Sequence, residues 1–194
     1  IISFLKNADV LIIGPGLGKN ASTYALIRKI IRKTQVPMVL DADALNALNN
    51  HLEILKTHQG SLILTPHQRE MSLLFGIDLN FIKKNRKLVA KKYAKHYNNV
   101  IILKGHNSIV SNGSSQCYIN RTGNPGMSTA GSGDVLSGIV GAFLAQGLDA
   151  FKATKFATYI HGLAGDLAAK DKTQIGLIAS DIINRIPDAI KKSS

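Results

Sequence analysis

The order of apolar and amphipathic segments in this 194-residue chain predicts an α/β fold, with a mostly parallel central sheet covered by helices on both faces. Four short apolar runs alternate with segments whose apolar residues recur at helical spacing, as is typical of parallel strands joined by helices. An Asn112–Gly113 turn between two further apolar runs predicts a late antiparallel hairpin. The remaining C-terminal part shows helical spacing, so helices are expected to close the domain.

The individual elements follow from these patterns. Buried parallel strands are predicted over residues 9–13, 36–40, 61–64 and 100–103, and hairpin strands over residues 108–110 and 116–119. Helices are predicted over 20–33 and 44–49, from 66, over a basic segment that ends near 97, from 134 to about 146, from about 149, and from about 180. On the helix after Asp149, the predicted buried side carries Phe156, Tyr159, Ile160, Leu163 and Leu167.

Length and composition indicate one globular domain with a proper core. Apolar residues make up 45% of the chain, but no apolar stretch approaches the length of a membrane-spanning helix, so no membrane partner is expected. The single cysteine, Cys117, excludes an internal disulfide and is expected to be a packing residue in a cytoplasmic protein. Because the sequence begins Ile1-Ile2-Ser3, we expect residues 1–194 to be a single domain that lacks its N-terminal segment.

Part of the net charge of +12 is concentrated between Lys83 and Lys95, where basic residues occur without an acid. Apolar residues from Ile82 to Tyr97 recur at helical spacing, which favours a helix with one buried stripe and a solvated basic face. Because no base-reading motif accompanies the run, we expect no nucleic-acid partner. A basic rim that attracts phosphorylated ligands and a simple contribution to solubility both stay open.

The segment from Gly123 to Asp134 is rich in glycine, ends in one acid and opens directly into an amphipathic helix. Unpaired amide groups and the positive end of the helix dipole make such a helix start a site for anions, most often phosphate. A carboxylate beside a phosphate is repelled unless it has a function, and accepting a proton from a hydroxyl is a function that fits. Asp134 is therefore a candidate base, and the alternative is that it only caps the helix.

Polar residues or glycines follow each of the four predicted parallel strands, and the ends of such strands share one edge of a sheet. These clusters are Gly14–Gly18, Asp41 with Asp43, residues 65–70, and Lys104–Asn107. The two aspartates are suited to hydrated magnesium or to a ribose hydroxyl, but Asp43 fits equally well as a helix cap. His67 is either a ligand contact or simply an exposed residue at a helix start. With the glycine-rich loop, these ends predict one cleft.

Seven stretches of the sequence, in order, resemble the ATP/ADP-dependent NAD(P)H-hydrate dehydratases, a family of the ribokinase-like superfamily. They are GPGLG, LDADALN, LTPH with Glu70 following, LKGHNSIV, GNPGMSTAGSGDVLSGIVGAFLAQG, HGLAGDLAA and GLIASDI. The resemblance implies a ribokinase-like fold and an enzyme that phosphorylates the hydroxyl of hydrated NADH or NADPH and then eliminates phosphate. It also implies ADP or ATP as co-substrate, Mg2+ as cofactor, and a homo-oligomer, specifically a tetramer.

The resemblance assigns roles to individual residues. The catalytic residues are Asp134 as the base and Gly131 and Gly133 as amide donors to the phosphoryl group. The substrate-binding residues are Gly16, Gly18, His67, Asn124 and Asp134, although the match at Asn124 does not separate ligand contact from loop shaping. The nucleotide-binding residues are Lys104, Gly105, His106, Asn107, Ser108 and Gly133. Arg69 departs from the family, which usually has glycine there, and this puts the backbone of the His67 turn in doubt.

Two competing functions are compatible with the sequence. A ribokinase-like kinase of a small vitamin alcohol or sugar would share the glycine-rich loop and the first half of the reaction, and would release a stable phosphorylated alcohol. A non-catalytic protein that binds a nucleotide or a nucleic acid would bind its ligand without turnover. The motif from His161 to Asp166 is expected to pack behind the site in either enzyme.

Overall fold

The computed structural model of the chain describes residues 2–114 and 117–193. Within these residues six strands form one sheet in sequential order, with bounds β1 Leu11–Ile13, β2 Met38–Leu40, β3 Leu62–Leu64, β4 Val100–Leu103, β5 Ile109–Ser111 and β6 Cys117–Ile119. The strands β1 to β4 pair in parallel, and β4, β5 and β6 pair antiparallel. The predicted sheet is confirmed, while Gln116 of the predicted second hairpin strand lies outside the described residues.

Most helices of the described residues lie close to their predicted places, whereas the short helix over 54–57 was not predicted. Their bounds are α1 Ala21–Lys33, α2 Asp43–Ala47, α3 Ile54–Thr57, α4 Gln68–Phe75, α5 Leu79–Lys84, α6 Arg86–Tyr97, α7 Ser132–Ala145, α8 Ala150–Lys172 and α9 Ala179–Ser193. Aspartates cap two of them: Asp78 accepts from the Phe81 amide at 2.8 Å, and Asp149 accepts from the Lys152 amide at 3.0 Å. None of the helices in residues 2–114 and 117–193 is long and apolar enough to cross a bilayer.

Both faces of the sheet are buried under helices. Successive side chains of a strand point to opposite faces, so each strand contributes to two cores. In β2, Met38 and Leu40 join the core under α1 to α6, whereas Val39 between them joins the core under α7 and α8. Ile63 of β3 lies on the same side as Val39. This two-sided burial explains why the parallel strands are apolar without alternation, and it leaves their carboxyl ends as the polar edge of the domain.

Two further details of the helices differ from the sequence interpretation. The basic segment forms two helices instead of one, because Asn85 interrupts the helix between α5 and α6 with φ −129° and ψ 33°. On α8, Phe156 is exposed, contrary to the prediction, and small residues such as Ala157 and Ala164 occupy the buried side. Small side chains allow α8 to approach its neighbours closely. This close contact does not require the bulky side chain of Phe156.

Candidate active site

The carboxyl ends of β1 and β2 lie in direct contact. Gly14 has φ +133°, and a Cβ at this position would collide with the carbonyl oxygen of Asp41, so only glycine fits. Further along the loop, the Gly18 amide donates to Oδ2 of Asp43 at 2.9 Å. The interpretation of Asp43 as a helix cap is therefore wrong: Ala42 occupies the N-cap position of α2, and Asp43 instead fixes the glycine-rich loop after β1.

A buried charge cluster joins the ends of β2 and β4 to α7. Asp41 is only 1% exposed, and its Oδ1 accepts from the Lys104 ammonium at 2.7 Å and from the Ala42 amide at 2.9 Å. Its Oδ2 accepts from the Ser137 hydroxyl at 2.9 Å. Since both carboxylate oxygens are engaged by protein donors, Asp41 orients Lys104 and is poorly placed to be a ligand for magnesium or ribose.

His67 lies at the N-cap of α4, which begins at Gln68 and therefore two residues later than predicted. Nδ1 of His67 accepts from the Glu70 amide at 3.0 Å, and the Glu70 carboxylate accepts from the His67 amide at 2.7 Å, which forms a capping box. Because Nδ1 is an acceptor, the neutral ring carries its proton at Nε2, which lies 3.5 Å from Oε1 of Glu70. Arg69 is exposed and leaves this turn regular, so the doubt raised about the local backbone is removed.

The segment after β4 is held in place from two sides. The Lys104 amide donates to the Pro66 carbonyl at 2.8 Å, and the Lys104 ammonium lies 3.9 Å from Oε2 of Glu70. From the other side, the Arg86 guanidinium donates to the carbonyls of Leu103 and His106. Burial lowers the pKa of Arg86 from its ordinary value. Arg86 was not singled out from the sequence, because the lysines around it in the basic run give the same local pattern.

The predicted nucleotide-binding residues from Lys104 to Ser108 form one tight turn, whereas Gly133 lies on α7. Gly105 adopts φ +136° and Asn107 adopts φ +53°, both in the left-handed half of the backbone map. The Ser108 hydroxyl donates to the Gly105 carbonyl at 2.9 Å. Gly105, His106 and Asn107 are exposed, so their backbone and side chains remain accessible to a ligand.

The glycine-rich loop meets this cluster at the start of α7. Gly131 is the N-cap residue with φ +80°, and a Cβ on Gly133 would lie 3.5 Å from the Lys104 ammonium and 3.8 Å from Oδ2 of Asp41. Asp134 is exposed, and its carboxylate has no hydrogen-bond partner in the described part of the chain. Its interpretation as a helix cap thus loses its support, and a free carboxylate stands beside an anion-binding helix start.

The beginning of the loop is shaped by α8. Asp166 accepts from the Gly123 amide at 2.8 Å and from the Asn124 side-chain amide at 3.0 Å, while Oδ1 of Asn124 accepts from the Gly126 amide at 3.1 Å. The Asn124 side chain is therefore engaged within the loop, which supports a role in loop shaping. Met127 packs against Gly165 of the same helix. In the sequence, only the resemblance of the stretch HGLAGDLAA to the family pointed to Asp166.

Behind the loop, His161 contacts the first residue of α7. Its Nε2 lies 3.3 Å from the Ser132 hydroxyl. Burial is the main cause that lowers the pKa of His161 from 6.5 to about 4, and the nearby charge of Lys104 acts in the same direction. At neutral pH the ring is uncharged, so it supports the loop as a polar packing group and adds no positive charge to the anion site.

The carboxylates of the site limit how a magnesium ion could bind there. Among residues 2–114 and 117–193, no group of three or more His, Cys, Asp or Glu side chains is arranged to hold a metal ion. Mg2+ usually keeps several waters and binds through one or two carboxylates together with substrate phosphates. This requirement fits a site with one free carboxylate, Asp134, next to a phosphate-binding helix start.

Fold and site together are those of a ribokinase-like protein, in which a loop at a helix start, a fixed lysine and a free carboxylate meet at the edge of the sheet. The sequence pattern of the Carb_kinase family, described as NAD(P)H-hydrate dehydratase, matches residues 1–188. The chain belongs to this family. It is 42% identical, over 98% of its length and 36% of the relative's, to the bifunctional NAD(P)H-hydrate repair enzyme Nnr of Moorella thermoacetica.

Solved structures agree with this assignment. The ADP/ATP-dependent NAD(P)H-hydrate dehydratase from Bacillus subtilis, co-crystallised with ATP and Mg2+ and soaked with CoA, matches with a TM-score of 0.84 and 28% identity over 96% of this chain and 67% of that one. A ribokinase-like superfamily protein from Enterococcus faecalis matches with a TM-score of 0.85 and 27% identity over 100% of this chain and 66% of that one. The predicted ribokinase-like fold is confirmed. The chain spans about a third of the length of the Moorella relative.

Proposed function

We propose that the protein dehydrates the hydrated forms of NADH and NADPH with ADP or ATP as co-substrate. The observation that carries this proposal is the unpaired carboxylate of Asp134, one residue after Gly133, which itself lies beside the fixed ammonium of Lys104. A phosphate cradle with a base at its rim suits transfer of a phosphoryl group to a hydroxyl. Membership in the dehydratase family supports the hydroxyl of hydrated NADH or NADPH as the acceptor.

In the proposed first step, the Asp134 carboxylate accepts the proton of the ring hydroxyl while its oxygen attacks the terminal phosphorus of the nucleotide. The bond from phosphorus to the bridging oxygen breaks, and AMP leaves from ADP, or ADP from ATP. The amides of Gly131 and Gly133 and the Lys104 ammonium stabilise the charge on the transferred group. In the second step, the ring C–O bond breaks, phosphate leaves, and the adjacent ring carbon loses a proton, which restores the dihydronicotinamide.

The remaining residues position the two ligands. The turn from Lys104 to Ser108 binds the adenine nucleotide, and Gly16, Gly18 and His67 contact the hydrated dinucleotide. Asn124 shapes the loop beside this ligand. Mg2+ would neutralise the phosphates of the nucleotide, with Asp134 as the nearest free carboxylate. A homo-oligomer, specifically a tetramer, and the absence of a nucleic-acid partner stay predictions, as does the cytoplasm as the place of action.

The test is to incubate the full-length protein with hydrated NADH, ADP and Mg2+ and to follow the return of the dihydronicotinamide absorbance. We expect the absorbance to recover together with release of AMP and phosphate in equal amounts. A stable phosphorylated alcohol without phosphate release would instead identify a small-molecule kinase. Binding of ADP without any turnover would contradict both enzyme functions.

A further inference from the structure

A shallow cavity of about 340 Å³ lies between the start of α4 and α5, beside the proposed site. It is lined by His67, Gln68, Arg69, Leu79 and Lys83. Two of these five residues carry a permanent positive charge, and both are exposed at the cavity. The cavity is therefore a basic pocket next to a residue that we assign to substrate binding.

The positive charges of the cavity are not neutralised by ion pairs. Neither Arg69 nor Lys83 takes part in a salt bridge among the described residues. The acids nearest in sequence have other partners, since Glu70 closes the capping box with His67 and Asp78 caps α5. A ligand that brings negative charge into the cavity would meet two cations without displacing a protein partner.

The cavity is connected to the proposed site by its own walls. His67 lines the cavity at the end of β3, and its side chain is about half exposed. Gln68 reaches the nucleotide turn, because its Nε2 would lie 3.5 Å from a Cβ on Gly105. The cavity thus adjoins both ligand-binding segments, and a dinucleotide bound at His67 can extend one end into it.

We propose that this cavity binds the phosphate that distinguishes hydrated NADPH from hydrated NADH, and that the protein prefers the phosphorylated form. The inference rests on the proposed function. The two substrates differ only by a phosphomonoester on the adenosine ribose, so two unpaired cations in a cavity beside His67 are a feature able to separate them. Arg69 suits the contact because its planar guanidinium matches the oxygens of a phosphate, and Lys83 adds a second charge.

The test compares binding of NADP+ and NAD+, which carry the same difference but no ring hydroxyl, by isothermal titration of the full-length protein. We expect NADP+ to bind about tenfold more tightly or better, as charge-assisted contacts allow. Arg69→Gln and Lys83→Gln should each reduce this preference several-fold. Lys84→Gln is the matched control, because Lys84 is exposed on the same helix but does not line the cavity.

The outcomes separate this inference from the proposed function. Equal binding of NADP+ and NAD+, or a preference that survives in both variants, would overturn the assignment of the cavity. A loss of ADP affinity in the variants would also overturn it, because the cavity would then serve the co-substrate. If the preference is present and sensitive to both variants but neither hydrate is turned over, the cavity assignment stands and the proposed reaction fails.

Discussion

Two aspartates at the same edge of the sheet differ in how they are bound. Asp41 is 1% exposed, and its carboxylate oxygens accept three hydrogen bonds, from Lys104, Ala42 and Ser137. Asp134 is exposed, and the described residues supply no hydrogen bond to its carboxylate. The buried acid is fully occupied with holding other residues, whereas the exposed acid is free to exchange a proton with a ligand.

This difference separates two kinds of contribution to function. Breaking a buried ion pair costs free energy of folding. Replacing Asp41 should therefore mainly lower the stability of the fold and displace Lys104. A free carboxylate contributes little to the folded state, so loss of Asp134 should appear almost entirely in the rate of reaction. The predictions below follow this distinction from the largest expected effect to the smallest.

Asp134→Asn tests the exposed acid. The amide has nearly the same shape but cannot act as a base, so turnover should fall on the order of a hundredfold or more, in line with the ~10² to 10⁴ that a positioned base contributes. The melting temperature should stay nearly unchanged, and ADP affinity should hold or rise because a negative charge beside the phosphates is removed. Turnover, ADP affinity and melting temperature are measured on the same variant, and near-normal turnover would refute the role of Asp134.

Asp41→Asn makes the equivalent change in the buried acid. Removing one partner of a buried ion pair leaves Lys104 without compensation, so the free energy of unfolding should fall by about 3 kcal/mol. Urea unfolding measures this loss, and the Asp134→Asn variant is its matched control. Turnover should fall less than in the control, through displacement of Lys104. A stable Asp41→Asn protein with full ADP affinity would show that the cluster does not position Lys104.

His161, which lies behind the loop, predicts a pH dependence of stability. Burial lowers the pKa of His161 from 6.5 to about 4, so the unfolded chain takes up a proton before the folded protein does as the pH falls. The stabilisation is complete above 6.5 and is lost toward 4. Between about pH 7 and about pH 5 this group alone should lower the free energy of unfolding by about 2 kcal/mol. In His161→Gln, urea unfolding at the two pH values should show a loss smaller by that amount, and an equal loss would contradict the role of His161.

Exposed charges outside the proposed ligand contacts should have the smallest effect. Replacing Lys84, Lys87 and Lys91 by Glu should leave turnover at saturating ligand nearly unchanged, with at most a salt-dependent change in ligand capture. Steady-state kinetics at two ionic strengths checks this expectation. A large loss of turnover at saturation would show that the basic face takes part in the reaction. Arg86→Gln serves as contrast, because that residue of the same run holds the Leu103 and His106 carbonyls.

The parts of the molecule that could be predicted from sequence were those with a local signal. Apolar runs such as Val100–Leu103 are sufficient for a buried strand, and the glycines before Asp134 are sufficient for a loop that opens into a helix. The strand ends were also expected to converge, since parallel strands place them at one edge. Their convergence is seen directly where Gly14 meets Asp41 and where Lys104 meets Asp41.

The parts that could not be predicted depend on partners distant in sequence. Asp43 stands where a helix cap is common, but its partner is the Gly18 amide, 25 residues earlier. Arg86 differs from the neighbouring lysines only because it lies under the turn after β4, which no local pattern shows. Phe156 was predicted to be buried because it is hydrophobic. In the structure, α8 packs closely against its neighbours and has alanine and glycine on the buried side.

The hydrogen bond from the Lys104 amide to the Pro66 carbonyl extends strand pairing past the ends of β3 and β4. It ties the backbone before His67 to the backbone that begins the nucleotide turn. Opening of this edge must therefore break both segments together, and the Lys104 amide should exchange its hydrogen with solvent as slowly as the amides of the strand interior. This slow exchange of the Lys104 amide should also be seen without ligand, because the edge requires no further ordering to bind nucleotide or dinucleotide.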